Sequence, residues 1–125
     1  TDTCVEDISL GQTLDGELIN ESECISDSRH YNGTYSARYY TFRISRQAAV
    51  TITMNGNLCY ASGTLLNPYI YLHAGGRDGA LITFDDDGGC SYNSQIIRTL
   101  EPGTYTVEAT TYLSTQQGTF QLSVQ

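Results

Sequence analysis

Apolar residues recur at every second position through most of this chain, and that period suits strands rather than helices. Tyr40, Phe42 and Ile44 share one face, as do Val50, Ile52 and Met54. The same holds for Ile70 and Leu72, Ile82 and Phe84, Tyr105, Val107 and Ala109, and Phe120, Leu122 and Val124. Between them stand mostly Thr, Ser, Arg and Tyr, as in strands with one buried and one wet face. No long window repeats apolar residues at helical spacing. Turn pairs punctuate the runs: Asp15-Gly16, Asn32-Gly33, Asn55-Gly56, Gly75-Gly76, Asp78-Gly79, Gly88-Gly89, Pro102-Gly103 and Gln117-Gly118. This pattern predicts an all-β fold, an antiparallel β-sandwich or jelly roll of about seven to nine strands. With 125 residues and neither repeat nor linker, the chain reads as one domain over 1–125.

Charge narrows the partners. There are 14 acidic and 6 basic residues, a net charge of -8, and no lysine. Nucleic acid demands a basic stripe, so that class is set aside. Anionic membrane surfaces are disfavoured for the same reason, and no apolar run approaches the ~20 residues of a membrane span. The expectation is a mature secreted or cell-surface form, its first residue Thr1 following a removed targeting segment. Four cysteines agree with that setting. An even count in a small exported domain predicts two disulfides, and about three pairings are open. Zinc is the weaker reading, because Cys4, Cys24, Cys59 and Cys90 contain no Cys-x-x-Cys pair.

The acidic run Asp85-Asp86-Asp87-Gly88-Gly89 is the first candidate site. Calcium takes hard oxygen ligands, which Asp85, Asp86, Asp87 and Asn93 supply from one loop. The loop lacks EF-hand spacing, and its alternative is a solvated turn with aspartates capping backbone N–H groups. Ten tyrosines and no tryptophan raise a second candidate, a sugar platform of Tyr39, Tyr69, Tyr71 and Tyr112 on outward faces. Tyrosine is also an ordinary strand residue whose ring packs while its hydroxyl stays wet. Asn20-Glu21-Ser22 and Asn32-Gly33-Thr34 are glycosylation-type sequons. Catalysis has little footing. His30 and His73 stand by no recognisable nucleophile elbow, and nothing fixes a separation between Glu108 and the aspartates.

Several stretches then converge on a family: Ala37–Phe42, Pro68-Tyr69-Ile70-Tyr71-Leu72, and Leu100–Tyr112 with its Glu101-Pro102-Gly103-Thr104-Tyr105 opening. Together with Asp85–Gly88, Asn93-Ser94 and the closing Gly118–Val124, in that order, they resemble the bacterial pre-peptidase C-terminal domain family. The resemblance implies a secreted jelly-roll sandwich, not itself catalytic, appended to exported enzymes. Some relatives bind calcium, and some attach to polymers such as collagen or polysaccharide. This chain departs from the pattern where Asn67-Pro68 replaces an aspartate, and in the insertion at 57–66. Added cysteines in that insertion and in the acidic loop imply pairing of Cys59 with Cys90, leaving Cys4 for Cys24. The expected function is a non-catalytic extracellular module for adhesion or binding, stabilised by calcium, with an extracellular polymer as partner. The rival is a structural protomer that meets copies of itself in a filament or surface layer.

Overall fold

The computed structural model describes residues 3–18, 24–28, 35–55, 68–85, 94–111 and 118–125. Nine strands are found among them: β1 (Val5–Asp7), β2 (Gln12–Leu18), β3 (Arg38–Ile44), β4 (Ala48–Asn55), β5 (Pro68–Ala74), β6 (Leu81–Asp85), β7 (Ser94–Leu100), β8 (Gly103–Thr111) and β9 (Gly118–Val124). They form a five-stranded sheet in the order β1-β3-β8-β5-β6 and a four-stranded sheet in the order β2-β9-β4-β7. No helix among the described residues is long and apolar enough to cross a membrane.

The pairing is nested. β5 pairs with β6, β4 with β7, β3 with β8 and β2 with β9, all antiparallel, and successive pairs alternate between the sheets. That is a long hairpin rolled on itself, the jelly-roll arrangement. β1 is an addition, parallel to β3. β9 lies between β2 and β4 in its own sheet, so the C-terminal strand is paired on both sides within the chain.

The predicted inward faces meet between the sheets. Tyr40, Phe42, Ile52, Met54, Ile70, Leu72, Val107, Leu122 and Val124 are all buried there. Each fully buried side chain of this size stabilises the fold by about 1.5–3 kcal/mol. One expected face fails. Ile82 and Phe84 do not point the same way, because a bulge in the β5–β6 pairing leaves Ile82 without a cross-strand partner. Ile82 packs against the core, whereas Phe84 turns outward beside Tyr71.

Asp15-Gly16 is also corrected, from a turn to the middle of β2. Gly16 sits opposite Phe120, whose ring meets Tyr40 edge-on at 6.2 Å. A Cβ on Gly16 would lie 2.6 Å from the Tyr40 hydroxyl and 2.8 Å from Phe120 Cε2. The glycine makes room for two rings, as strand glycines often do. Gly16→Ala is therefore expected to lower stability by about 1–3 kcal/mol through overpacking. A urea midpoint equal to that of the parent would show that the rings move aside freely.

Of the two expected disulfides, Cys4–Cys24 is seen, with a Cα–Cα distance of 5.3 Å. Cys59 and Cys90 lie outside the described residues. The Cys4–Cys24 bridge packs with Ala37, Tyr39 and Val5 in a second small core. It ties the entry to β1 and residues 24–28 onto β3. The strap formed by 24–28 then crosses the outer face of the five-stranded sheet. It is held by the Ile25–Ser36 bridge and by main-chain bonds Ser26 N–H to Tyr35 O (2.7 Å) and Ala37 N–H to Cys24 O (3.0 Å).

Candidate functional site

Alternation along β3, β8, β5 and β6 places Tyr39, Glu108, Tyr71 and Phe84 in one row across the outer face. His73 occupies the same face of β5, one step along from Tyr71. In an uncovered sandwich this face would be wet. Here the strap lies over part of it, and Glu108 is fully buried while His73 is 5% exposed.

A buried carboxylate requires partners, and Glu108 has four. His73 Nε2 stands 2.8 Å from Glu108 Oε1. The Ser28 hydroxyl donates to Oε1 at 2.6 Å, its backbone N–H reaches Oε2 at 3.3 Å, and the Ser26 hydroxyl donates to Oε2. On the far side of the imidazole, Nδ1 faces the Gly79 carbonyl at 3.1 Å. Both ring nitrogens thus face acceptors without hydrogens of their own, so the arrangement suits the doubly protonated cation. Only glycine fits at position 79, since a Cβ would overlap the Ala74 carbonyl oxygen.

The electrostatics agree. Burial alone pulls the His73 pKa down, but the hydrogen bond and charge of Glu108, the Gly79 carbonyl and Asp27 outweigh it, leaving the group above its ordinary value. Burial likewise pushes Glu108 up, yet the bonds from His73, Ser26 and Ser28 hold it below the usual glutamate value. The result is a closed ion pair. Although Ser28 Oγ lies 3.4 Å from His73 Nε2, the hydroxyl proton is directed to Glu108. No lone pair on the imidazole is left to activate a serine, so the Ser-His-Glu grouping lacks the geometry of a nucleophile relay.

The same strap engages Tyr39 and the β5–β6 turn. Tyr39 donates to the Ile25 carbonyl at 2.9 Å and accepts from the Asp27 N–H at 3.0 Å. Arg77 lies over its ring at 4.1 Å and bonds Asp27 through Nε at 2.8 Å and the Ile25 carbonyl through Nη2 at 3.2 Å. Burial, reinforced by the charge of Glu108, pushes the Tyr39 hydroxyl well above its ordinary pKa.

The tyrosine platform is accordingly corrected. Tyr39 is on the outward face of its sheet but is covered by the strap and Arg77. Tyr69 and Tyr71 are buried as well, stacked on each other at 5.0 Å and on Phe84 at 5.9 and 5.7 Å. Among the described rings of this cluster, Phe84 is the one that reaches solvent, 53% exposed. Tyr112 lies outside the described residues, as do the sequon residues Asn20 and Asn32. Of the proposed calcium ligands, Asp85 is described and Asp86, Asp87 and Asn93 are not. Asp85 Oδ2 accepts the Gln95 N–H at 2.7 Å, joining the ends of β6 and β7.

Sequence reasoning missed the centre of this region. His73 and Glu108 are 35 positions apart, and only the β5–β8 pairing makes them neighbours. A signal did exist in β8, where Glu108 stands among threonines on the face opposite Val107 and Ala109.

No family model matches the chain, and no curated protein matches it by sequence. Among solved structures it is similar to the pre-peptidase C-terminal domain of a collagenase from Bacillus anthracis. The two are 20% identical over 97% of this chain and 94% of that one, with a TM-score of 0.66. It is also similar to the periplasmic inhibitor of g-type lysozyme, PliG, from Aeromonas hydrophila, at 14% identity, 97% coverage of both chains and a TM-score of 0.50. Likeness at these identities is one of fold: the chain has a pre-peptidase C-terminal-like fold.

Proposed function

We propose that this protein is a non-catalytic extracellular module that adheres to a polysaccharide or protein polymer. The reading is carried by the contrast on the outer face of the five-stranded sheet. Its ionisable cluster is sealed under the strap, while a rigid aromatic step, Phe84 seated on Tyr69 and Tyr71, faces water beside the acidic loop. Rigid rings lose little entropy on contact, which suits them to flat polymer surfaces. The similar fold of a collagenase's C-terminal domain supports the polymer class, and the similar fold of a periplasmic inhibitor supports an exported one.

Calcium at Asp85, Asp86, Asp87 and Asn93 belongs to the same proposal. Asp85 engages Gln95 through one carboxylate oxygen, leaving the other for a hard cation that would stiffen the loop next to Phe84. Retention on immobilised collagen and on a panel of polysaccharides, with calcium and with chelator, tests the proposal. At least one polymer should retain the protein, more strongly with calcium, and Phe84→Ala should weaken retention about tenfold. Passage through every column in calcium would dispose of the adhesion reading.

A further inference from the structure

Among the described residues the two sheets have four edges, β1, β2, β6 and β7. Open edges invite pairing with other chains, and natural sandwiches blunt them. Three are blunted here. β1 is 3 residues long and carries Glu6 and Asp7. β2 displays Asp15 and Glu17 on its outward face, with Gly16 between them. β6 has 5 residues, contains the bulge and runs into the aspartate series. β7 differs. It has 7 residues in unbroken register with β4, no proline, no acidic residue and a single charge, Arg98.

Among the described residues the outer side of the β7 backbone meets no other strand, and its groups point there in a definite pattern. Thr51 of β4 exchanges its N–H and C=O with Gln125, at 3.0 and 2.8 Å, so both point away from β7. Its cross-strand neighbour Ile97 must turn its own N–H and C=O to the free side. The Asp85 bond to the Gln95 N–H gives the same phase independently, and alternation extends it to Thr99. The face around this edge is uncharged: Ala49, Thr51, Thr53 and Asn55 on β4 adjoin Gln95, Ile97 and Thr99. Ile97 is 69% exposed at its centre.

We infer that β7 is a self-association edge, where a second copy of this chain pairs antiparallel about a two-fold axis through Ile97. In that register Ile97 faces Ile97 and Gln95 faces Thr99. Ile97 N–H groups bond Ile97 carbonyls in both directions, and each Thr99 N–H meets a Gln95 carbonyl. The Thr99 carbonyl of each copy replaces Asp85 on the Gln95 N–H, and the released Asp85 carboxylate turns to the other copy. Charge fits as well. Arg98 has no acidic partner among the described residues, and the register sets it near the Asp85 carboxylate of the second copy, twice by symmetry. Two copies with a net charge of -8 each meet at a sheet margin whose strands, β4 and β7, contain no acidic residue. Because both copies use the same edge, the assembly closes at two, unlike a head-to-tail filament. The inference does not rest on polymer binding, although the two readings share Asp85.

Sedimentation of the intact protein from micromolar to millimolar concentration tests it. A reversible monomer–dimer equilibrium is expected. Ile97→Pro removes an N–H that β4 does not use, and edge strands tolerate such a proline. Ile97→Lys sets each new charge against its own image, and Arg98→Glu sets acid against Asp85. Each should weaken dimerisation by at least about tenfold while leaving the monomer folded by circular dichroism. A monomer throughout the range, species growing beyond the dimer, or an association indifferent to these substitutions would overturn the inference.

Discussion

Glu108→Ala is expected to destabilise the fold by about 3–5 kcal/mol, the range for removing one member of a buried ion pair. The substitution does more than delete a bond. It leaves the His73 imidazole buried without its counter-charge, and it strips an acceptor from the Ser26 and Ser28 hydroxyls at once. Those serines belong to the strap, so the loss extends to the cover over the outer face. Guanidinium denaturation should register the full cost, and hydrogen exchange should rise first at residues 24–28. His73→Leu with Glu108→Leu should recover a large part of it, because an apolar pair of similar volume carries no desolvation penalty. A single alanine variant within 1 kcal/mol of the parent, roughly the worth of an exposed pair, would contradict the buried geometry.

The pair also sets a pH window. Glu108 is held below its ordinary value of 4.5, so its contribution is complete above 4.5 and is lost as pH falls through the folded value. His73 is held above its ordinary value of 6.5, so its contribution is complete below 6.5 and is lost as pH rises through the folded value. Between those two values the pair gives its greatest stabilisation. Beyond them the melting temperature of the parent should decline relative to the double leucine variant, whose profile lacks this component. Asp27, Arg77 and Tyr39 face the same pocket from the strap, the β5–β6 turn and β3. Burial pushes the titration of Tyr39 far above this window.

How much of this was legible beforehand follows from what is local. Period-two runs such as Val50-Thr51-Ile52-Thr53-Met54 fixed both strand and inward face, because each residue's orientation depends only on its neighbours. Phe84 was misassigned because a bulge opposite Leu72 and His73 adds one residue to β6, and no local pattern marks it. Gly16 looked like a turn since glycine serves turns and close approaches equally, and only the position of Phe120 decides between them. Tyr39, Tyr69 and Tyr71 do lie on the outward face, yet all three are buried. Phase says which face of a sheet a ring occupies, and cannot say that a strap from residues 24–28 covers Tyr39 or that Phe84 covers Tyr71. The His73–Glu108 pair was invisible for the same reason, being created by strand order.

Replacing Cys4 and Cys24 with serine should lower stability by about 3 kcal/mol, the chain-entropy value for a loop of this length. The structure adds a coupling to that figure. The bridge anchors one end of the strap, and the Ser26 and Ser28 bonds to Glu108 anchor its middle. If the strap rises as one unit, releasing either anchor makes the other worth less. The cysteine-to-serine pair combined with Glu108→Ala should then cost less than the sum of the two, by more than the ~0.5 kcal/mol within which independent sites add. Opening should show in hydrogen exchange at Val5–Asp7 as well, since among the described strands that short parallel strand pairs only with β3 and starts beside Cys4. Strict additivity in the double-mutant cycle would mean that the bridge and the ion pair stabilise the sandwich separately, and that the strap is no cooperative element.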